Sequence, residues 1–368
     1  MQQTLYVGLD VHKVSISVSV AEDGRDGLIR FIGAIPNTPE EVAKLARRLA
    51  PDGQKLDFCY EAGCCGYGIY RQLTALGHGC TVAAVTKIPR KPGERVKTDR
   101  LDAQKLAVLH RSGDLTAVWV PDDVHEAMRD LVRARIDSTR ELIRARQHLL
   151  AFLLRHGRPY PGKHWTGIHR RWLAGQTFAQ PAHQSVFQDY MEAILTAQQR
   201  RDGLIRRIGE LLPSWNMGPL VEALRGLRGI DMISAVTFVT AVGDLGRFEN
   251  PRQLMSYLGL VPSEYSSGDR VMRGRITRTG NNDARQTLIE AAWCYKYPAR
   301  VAEDKMKILN KLPKRVRDTA WKAQSRLCAR FRKLVARGKK PNVAVTAIAR
   351  ELSGFIWAIG QEVKPAIP

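Results

Sequence analysis

Four carboxylates in the first third of the sequence are placed where they can bind a metal ion. Asp10 ends one predicted strand and Glu61 ends another. Neighbouring strands that end at the same edge of an open sheet bring their terminal side chains together, and ligands gather at that edge. Asp99 and Asp102 are three residues apart in the segment KTDRLDA, so they share one face of a helix start. The spacing therefore predicts one pocket that all four carboxylates line.

Such a pocket suits phosphoryl transfer. Four converging carboxylates repel one another and raise each other's pKa values unless a cation neutralises them. Carboxylate oxygens suit Mg²⁺ or Mn²⁺, and two such ions can hold the attacking and leaving oxygens of a phosphate. The alternative is that each carboxylate is ordinary, because Asp often caps a helix. His12 shares the strand face of Asp10, so it either assists a substrate phosphate or is a polar strand end.

A second candidate centre is a loop rich in serine and arginine. Ser263, Ser266 and Ser267 lie close together before a glycine. Five arginines follow and are predicted to contact nucleic acid: Arg270, Arg273, Arg275, Arg278 and Arg285. A serine can attack phosphorus when cations hold the phosphate, and arginine binds phosphate through paired donors. A Ser-Gly pair is also a common turn, so these residues alone leave both interpretations open.

The charge of the chain predicts a polyanionic partner. Lys and Arg number 58 against 36 Asp and Glu, which gives a formal net charge of +22. Residues 1–88 carry nine of each sign, whereas residues 270–340 carry 21 basic and five acidic side chains with aromatic residues between them. This pattern favours contact with a nucleic-acid backbone together with base stacking. A solvated helical surface with core aromatics is the alternative.

The elements that must position these residues form an α/β domain at residues 1–120. Three strands, a helix, a strand, a helix, a strand and a further helix from about Asp99 follow one another, which predicts a ribonuclease H-like (RuvC-like) fold. The segment VSISVSV at 14–20 alternates strictly, with serines on one face. It predicts a strand that is exposed on one side.

The rest of the chain is predicted to be helical. Residues 121–215 contain two long amphipathic stretches separated by HGRPYPGKHWTG, which predicts a two-helix, coiled-coil arm. Residues 216–368 form a third, mainly α-helical domain that carries the serine loop. Its first element holds Gly226 and Gly229 between apolar helices, and is either a phosphate-binding helix-hairpin-helix or a plain turn.

Composition excludes several classes of protein. Hydrophobic residues make up 44% and charged residues 26%, so the chain is neither disordered nor fibrous. We find no long apolar run and no secretory signal at the N-terminus, which predicts a cytoplasmic protein with no membrane partner. The six cysteines form no CxxC pair and are expected to be reduced thiols.

Taken together, these motifs resemble a family. The segments GLDVHK at 8–13, YEAG at 60–63, KTDRLDAQKLA at 97–107 and YLGLVPSEYSSG at 257–268 are similar to those of insertion-sequence transposases with a DEDD-type RuvC-like domain. The Piv/MooV DNA invertases belong to the same group. The resemblance implies that Asp10, Glu61, Asp99 and Asp102 are a catalytic tetrad that binds Mg²⁺. It also implies a nucleophilic serine at Ser267, with Ser266 as the second choice.

The resemblance further implies that the protein joins donor and target DNA through a covalent phosphoserine. A structured bridge RNA would choose the sites by base pairing, and the metal site of one subunit would complete the serine site of another in a homodimer or homotetramer. The enzyme would associate with the nucleoid when it is on DNA. Two alternatives remain: a metal-dependent RuvC-like nuclease of the junction-resolving kind, whose serine loop only grips DNA, and a non-enzymatic nucleic-acid-binding protein.

Overall fold

The chain forms two compact units, residues 1–120 and 121–368. The computed structural model describes residues 4–51, 53–89, 98–268 and 270–363. Lys97, the first residue of the KTDRLDA motif, lies outside these ranges. The further division of the second unit at residue 215 stays a prediction.

The first unit is built on a mixed five-stranded sheet. Its strands are β1 (Thr4–Val11), β2 (Ser15–Glu22), β3 (Ile29–Pro36), β4 (Lys55–Glu61) and β5 (Gly79–Ala83). They lie in the order β3-β2-β1-β4-β5. The pairs β1/β2 and β2/β3 are antiparallel, whereas β1/β4 and β4/β5 are parallel. This topology confirms the predicted α/β class and is consistent with a ribonuclease H-like domain.

Three helices cover the two faces of this sheet. Helices α1 (Pro39–Leu49) and α2 (Gly68–Ala75) contribute to the apolar core on one face, where Val7, Leu9 and Phe58 are fully buried. Helix α3 (Asp99–Arg111) covers the other face, over small side chains of β1, β2 and β4. The sheet is therefore buried on both sides in its centre.

The segment VSISVSV contributes to strand β2 as predicted, but the prediction that its serine face is exposed is wrong. Ser17 and Ser19 are buried, with 7% and 0% of their surface exposed, and Val14 precedes the strand and is exposed. Ser19 pairs with Gly8, whose face of the sheet carries α3. Serine is small enough at these positions for the helix to pack closely against the sheet. Periodicity alone does not reveal that this face is covered.

The second unit begins with two long antiparallel helices, α4 (Asp123–Arg155) and α6 (Pro181–Leu211), with the short helix α5 (Gly167–Ala174) between them. Arg200 contacts Glu141 at 2.5 Å, and farther along the pair the rings of His156 and His183 lie 4.4 Å apart. An apolar cluster of its own joins the three helices: Leu142, Leu149, Phe152, Leu153, Leu173, Phe187 and Ile194.

A helical region follows, as predicted. Its elements are α7 (Gly218–Leu224), α8 (Met232–Val242), α9 (Pro251–Tyr257), β6 (Pro262–Glu264), β7 (Arg273–Ile276), α10 (Asn282–Ala292), α11 (Glu303–Leu309), α12 (Lys314–Ala336) and α13 (Pro341–Glu362). Among the described helices, α13 alone has the length and the mean hydropathy (1.4) of a membrane span. Half of that window is buried, and Ile348, Leu352 and Ile356 are wholly buried, as in a core helix.

Candidate active site

The position of α3 is set by a close approach to β1. A β carbon on Gly8 would lie 2.3 Å from the carbonyl oxygen of Ala103, so only glycine fits there. Farther along, the ring of Tyr6 contacts that of His110 at 5.5 Å between centroids. Helix α3 therefore runs antiparallel to β1. Its first turn lies over the end of the strand that carries Asp10.

This arrangement brings Asp10, His12 and Asp99 together. His12 Nε2 lies 3.2 Å from Asp10 Oδ2 and 3.7 Å from Asp99 Oδ1. One potential ligand atom from each of the three side chains lies within 4.8 Å of the others. Two ligand atoms on opposite sides of a divalent ion lie about 4–5 Å apart, because each metal–oxygen distance is about 2.0–2.5 Å. The donor set therefore fits a divalent metal.

Asp102 acts on the same centre. Burial raises the pKa of Asp10 above its usual 3.8, His12 lowers that pKa, and the carboxylates of Asp102 and Asp99 raise it again. Both α3 carboxylates are therefore within electrostatic reach of Asp10. A cation bound among them would favour the ionised form of Asp10.

Glu61 is placed by the register of the parallel strands. Gly8 pairs with Cys59 and Leu9 pairs with Tyr60, so Glu61 follows Tyr60 in β4 as Asp10 follows Leu9 in β1. The Cys59 thiol donates to the carbonyl of Leu106 in α3 at 3.4 Å. Side chains two residues apart in a strand share a face. Glu61 therefore ends β4 on the face of the sheet that carries Asp10 and α3.

The capping role that would explain an Asp at this helix start belongs to another residue. Thr98 is the N-cap of α3, and its hydroxyl accepts a hydrogen bond from Leu101 N at 3.3 Å. Asp99 and Asp102 follow within the first turn, where the positive end of the helix dipole stabilises carboxylates. Their negative charge is thus accommodated at the sheet edge without being used as a cap.

The backbone around His12 is also held in place. His12 N donates to Ser15 O at 2.9 Å, and the Asn37 side-chain amide donates to His12 O at 2.8 Å. The imidazole is half exposed and faces Asp10. The alternation of side chains along the strand had indicated that His12 and Asp10 share a face; its contact with Asp99 is added by the tertiary structure.

Ser267 lies at the tip of a β-hairpin formed by β6 and β7. Ser267 and Arg270 exchange both backbone hydrogen bonds, at 3.1 and 3.2 Å, and so close the hairpin turn that contains Gly268. Gly268 has a φ of +56°, a left-handed conformation that favours glycine in such turns. The hairpin is exposed around Ser267. The serine is therefore presented outward on a short, hydrogen-bonded scaffold.

The two neighbouring serines differ in their hydrogen bonding. The Ser266 hydroxyl donates to Glu264 Oε1 at 2.8 Å, and Arg273 Nε donates to Glu264 Oε2 at 3.3 Å. The hydrogen bond from Ser266 has the larger effect in lowering the pKa of Glu264, and that from Arg273 lowers it further. Within the part of the chain that the structure describes, no hydrogen bond engages the Ser267 hydroxyl. Among the described residues, the Ser266 hydroxyl is thus engaged by a carboxylate and the Ser267 hydroxyl is not.

The arginines of this region fall into two groups. Four are exposed: Arg270, Arg273, Arg275 and Arg278. Arg285 is only 7% exposed, and its guanidinium donates to Leu258 O at 3.1 Å and to Thr279 O at 2.8 Å. Its donors are used inside the fold, so Arg285 holds the loop that follows β7. Its sequence position among the other arginines gave no sign of this role.

The turn between α7 and α8 is closed around a lysine from α11. The Lys305 ammonium donates to the carbonyl oxygens of Arg225, Leu227 and Ile230, the latter two at 3.2 and 2.9 Å. Burial lowers the pKa of Lys305. The carbonyls of the predicted helix-hairpin-helix turn therefore point at the Lys305 ammonium. The phosphate-binding role of the turn stays a prediction.

Comparison with known proteins matches both halves of this arrangement. Residues 221–305 match the model described as "Transposase IS116/IS110/IS902 family", and residues 7–157 match a transposase model of the DEDD type from IS110 elements. The chain is 50% identical over 360 residues to the putative transposase y4qE of Sinorhizobium fredii, which covers 98% of this chain and 89% of the relative. It is 30% identical over 351 residues to the transposase for insertion sequence element IS1533 of Leptospira borgpetersenii, covering 92% and 99%.

The match of residues 7–157, which contain the α/β domain and its acidic sheet edge, shows that the chain is a DEDD-type transposase. The chain belongs to the IS116/IS110/IS902 family of insertion-sequence transposases. It is a DNA transposase, and its DEDD domain indicates that it uses a divalent metal.

Proposed function

We propose that this transposase cuts and joins donor and target DNA through a covalent phosphoserine on Ser267, with Mg²⁺ (or Mn²⁺) held by Asp10, Glu61, Asp99 and Asp102. The observation that carries the proposal is the outward placement of the Ser267 hydroxyl at the hairpin tip, with Ser266 engaged by Glu264. Exposed arginines follow it, at Arg270 directly after the turn and at Arg273 and Arg275 along β7.

The proposed reaction conserves phosphodiester bonds. Ser267 Oγ forms a bond to phosphorus as one phosphorus–oxygen bond of the DNA strand breaks, and the serine proton passes to a base. The released sugar hydroxyl takes up a proton. A sugar hydroxyl of the partner strand then attacks the phosphoserine, which restores the serine and joins the strands. Each step breaks one phosphate ester bond and forms another, so no external energy source is needed.

The residues of the two centres have separate roles in this scheme. The tetrad places negative oxygen ligands at one sheet edge, where a bound divalent ion would neutralise charge that develops on the phosphate. His12, between Asp10 and Asp99, is positioned to orient either carboxylate or to hold a phosphate oxygen. Arg270, Arg273 and Arg275 would hold the phosphate that Ser267 attacks, since guanidinium groups bind phosphate through paired donors. Arg285 acts through the loop that it holds.

The charge distribution supports guidance by a bridge RNA. The first 88 residues carry equal numbers of acidic and basic side chains, and the excess of positive charge lies beyond them. Such a chain suits an enzyme that holds RNA and two DNA duplexes while base pairing selects the sequence. We propose a homodimer or homotetramer in the cytoplasm, on nucleoid DNA, in which the metal site of one subunit serves Ser267 of another.

The test is to incubate the protein with RNA from the flank of its element, Mg²⁺, and labelled donor and target DNA. A protein–DNA adduct that survives denaturation and maps to Ser267 is expected, and it should require both RNA and metal. Ser267→Ala should abolish the adduct. Ser266→Ala is the matched control: it removes only the contact to Glu264 and should leave an adduct on Ser267.

Two other outcomes would contradict the proposal in different ways. Cleavage without an adduct, unchanged in Ser267→Ala, would indicate a metal-dependent nuclease in which the serine hairpin only grips DNA. Asp102→Asn should disable both kinds of enzyme. If neither substitution changes any chemical step, the two centres assigned here do not carry the reaction.

A further inference from the structure

The far end of the two-helix arm has an unusual composition. Residues 142–188, here called the arm tip, contain no Asp or Glu. They contain seven Lys and Arg and five of the nine histidines of the chain. The tip comprises the second half of α4, the whole of α5 and the start of α6. It is therefore a segment of one sign of charge within a single structural unit.

The base of the arm, residues 130–141 and 200–210, differs from the tip in carrying both signs of charge. Arginines there are paired with carboxylates in five ion pairs: Arg133 with Asp130, Arg140 with Asp137, Arg200 with Glu141, Arg201 with Asp202, and Arg206 with Glu210. In the tip, which the structure describes throughout, no cation pairs with a carboxylate. A solvated helical surface normally mixes both signs, as the base does. At its inner end Asp189 and Glu192 of α6 line a pocket with Arg144 and His148, and farther out the tip forms no ion pair that would neutralise its cations.

The tip is also rigidly built. The Arg146 guanidinium lies over the Trp165 ring at 4.7 Å, and that of Arg158 lies over the Phe178 ring at 4.1 Å. Trp165 has a φ of +64°, a conformation that a bulky residue adopts only when its surroundings impose it. Its backbone N–H donates to Nδ1 of the buried His169 at 2.9 Å. The loop between α4 and α5 is thus held in one shape.

Four of the five remaining cations are exposed beyond the pocket that contains Arg144. Arg155, Lys163, Arg170 and Arg171 are exposed, and His164 and His183 are exposed beside them. Arg155, at the end of α4, lies about 40 Å along the helix from Met128, which packs in the main core of the unit. An ordered, exposed set of cations without carboxylates has a low cost of organisation when it binds an extended polyanion.

We propose that the arm tip is a nucleic-acid-binding site that takes the phosphodiester backbone of a duplex, separate from the serine hairpin and its arginines. A duplex is favoured as the ligand because the cations come from three successive elements, the end of α4, the α4–α5 loop and α5. Such a set matches a row of phosphates better than a single anion. The site reads no sequence, since contacts to phosphate fix position only.

The experiment uses the full-length protein and compares two adjacent pairs of exposed arginines. Arg170→Gln/Arg171→Gln changes the tip, and Arg206→Gln/Arg207→Gln changes the base of the arm on α6. Binding of a labelled DNA duplex, and of an RNA duplex of the same sequence, is measured by fluorescence anisotropy over a series of KCl concentrations. Circular dichroism and the melting temperature verify that both variants fold.

The tip variant should reduce the slope of log K against log salt by about 1.8, because each lost phosphate contact contributes about 0.9 for B-form DNA. The base variant should leave the slope unchanged. A reduced slope with DNA alone, RNA alone or both supports the site and identifies the duplex that it holds. An unchanged slope for the tip variant with both duplexes, or an equal reduction in the base variant, would overturn the proposal.

Discussion

Gly8 and Ala103 approach so closely that a β carbon on Gly8 would lie 2.3 Å from the Ala103 carbonyl oxygen. This contact fixes the distance between β1 and α3, and through it the distance between the carboxylates that each element carries. Asp10 lies two residues beyond Gly8, and Asp99 lies four residues before Ala103. The carboxylate cluster therefore depends on the absence of a side chain at residue 8.

Gly8→Ala should separate α3 from the sheet. Because the methyl group meets backbone atoms that cannot rotate away, we expect a loss of about 1–3 kcal/mol in the free energy of unfolding. Metal-dependent cleavage should also fall, even under conditions in which the variant is still fully folded, because the carboxylates of β1 and α3 move apart. Urea denaturation and a cleavage assay measure the two effects. Gly68→Ala is the control, since nothing lies within 4 Å of its β-carbon position and its stability should hardly change.

Lys305→Met should destabilise the second unit. The substitution keeps a similar volume but leaves the carbonyls of Arg225, Leu227 and Ile230 without their ammonium donor. Hydrogen bonds to a charged group contribute about 1.5–3 kcal/mol each, so a loss of about 3 kcal/mol is expected after relaxation. The control is Lys307→Met, on an exposed lysine that contacts Glu303 and Asp304. Equal melting temperatures for the two variants would contradict this assignment.

Arg285 and Arg275 should respond in opposite ways to the same substitution. Arg285→Gln removes donors to Leu258 O and Thr279 O in a buried setting, so it should lower stability by about 2 kcal/mol. Arg275→Gln changes an exposed side chain and should weaken DNA binding with little change in stability. Thermal melting and DNA titration of both variants separate the roles. A stable Arg285→Gln variant would show that its internal hydrogen bonds matter little.

The second unit should lose stability in mild acid because of His125. Burial lowers its pKa below the usual 6.5, against the opposing effect of its contact with Thr240 O at 3.1 Å. A lowered folded-state pKa means that the contribution to stability is full above pH 6.5 and is lost as the pH falls through the lowered value. His125→Gln should reduce this loss of stability below pH 6.5. The exposed His148→Gln should retain the acid sensitivity of the parent in the same denaturation series.

Local patterns were enough to predict much of the first unit. Strands and helices follow in the predicted order because apolar periodicity, helix-starting Pro39 and strand-ending acids are local signals. The helical character of the second unit was predicted for the same reason. The exposed face assigned to VSISVSV was wrong, because Ser17 and Ser19 are covered by a helix some eighty residues later in the chain.

By itself the sequence determined which residue types are available for chemistry: the carboxylates at strand ends and a helix start, the serines before Gly268, and the excess of basic residues. The tertiary structure decided how they meet. It brings His12 into contact with both Asp10 and Asp99, and it pairs the Ser266 hydroxyl with Glu264. It also buries Arg285, whose guanidinium donates to backbone carbonyls. The physical reason is that residue type and periodicity are properties of a local segment, whereas burial and hydrogen bonding depend on partners brought from distant parts of the chain.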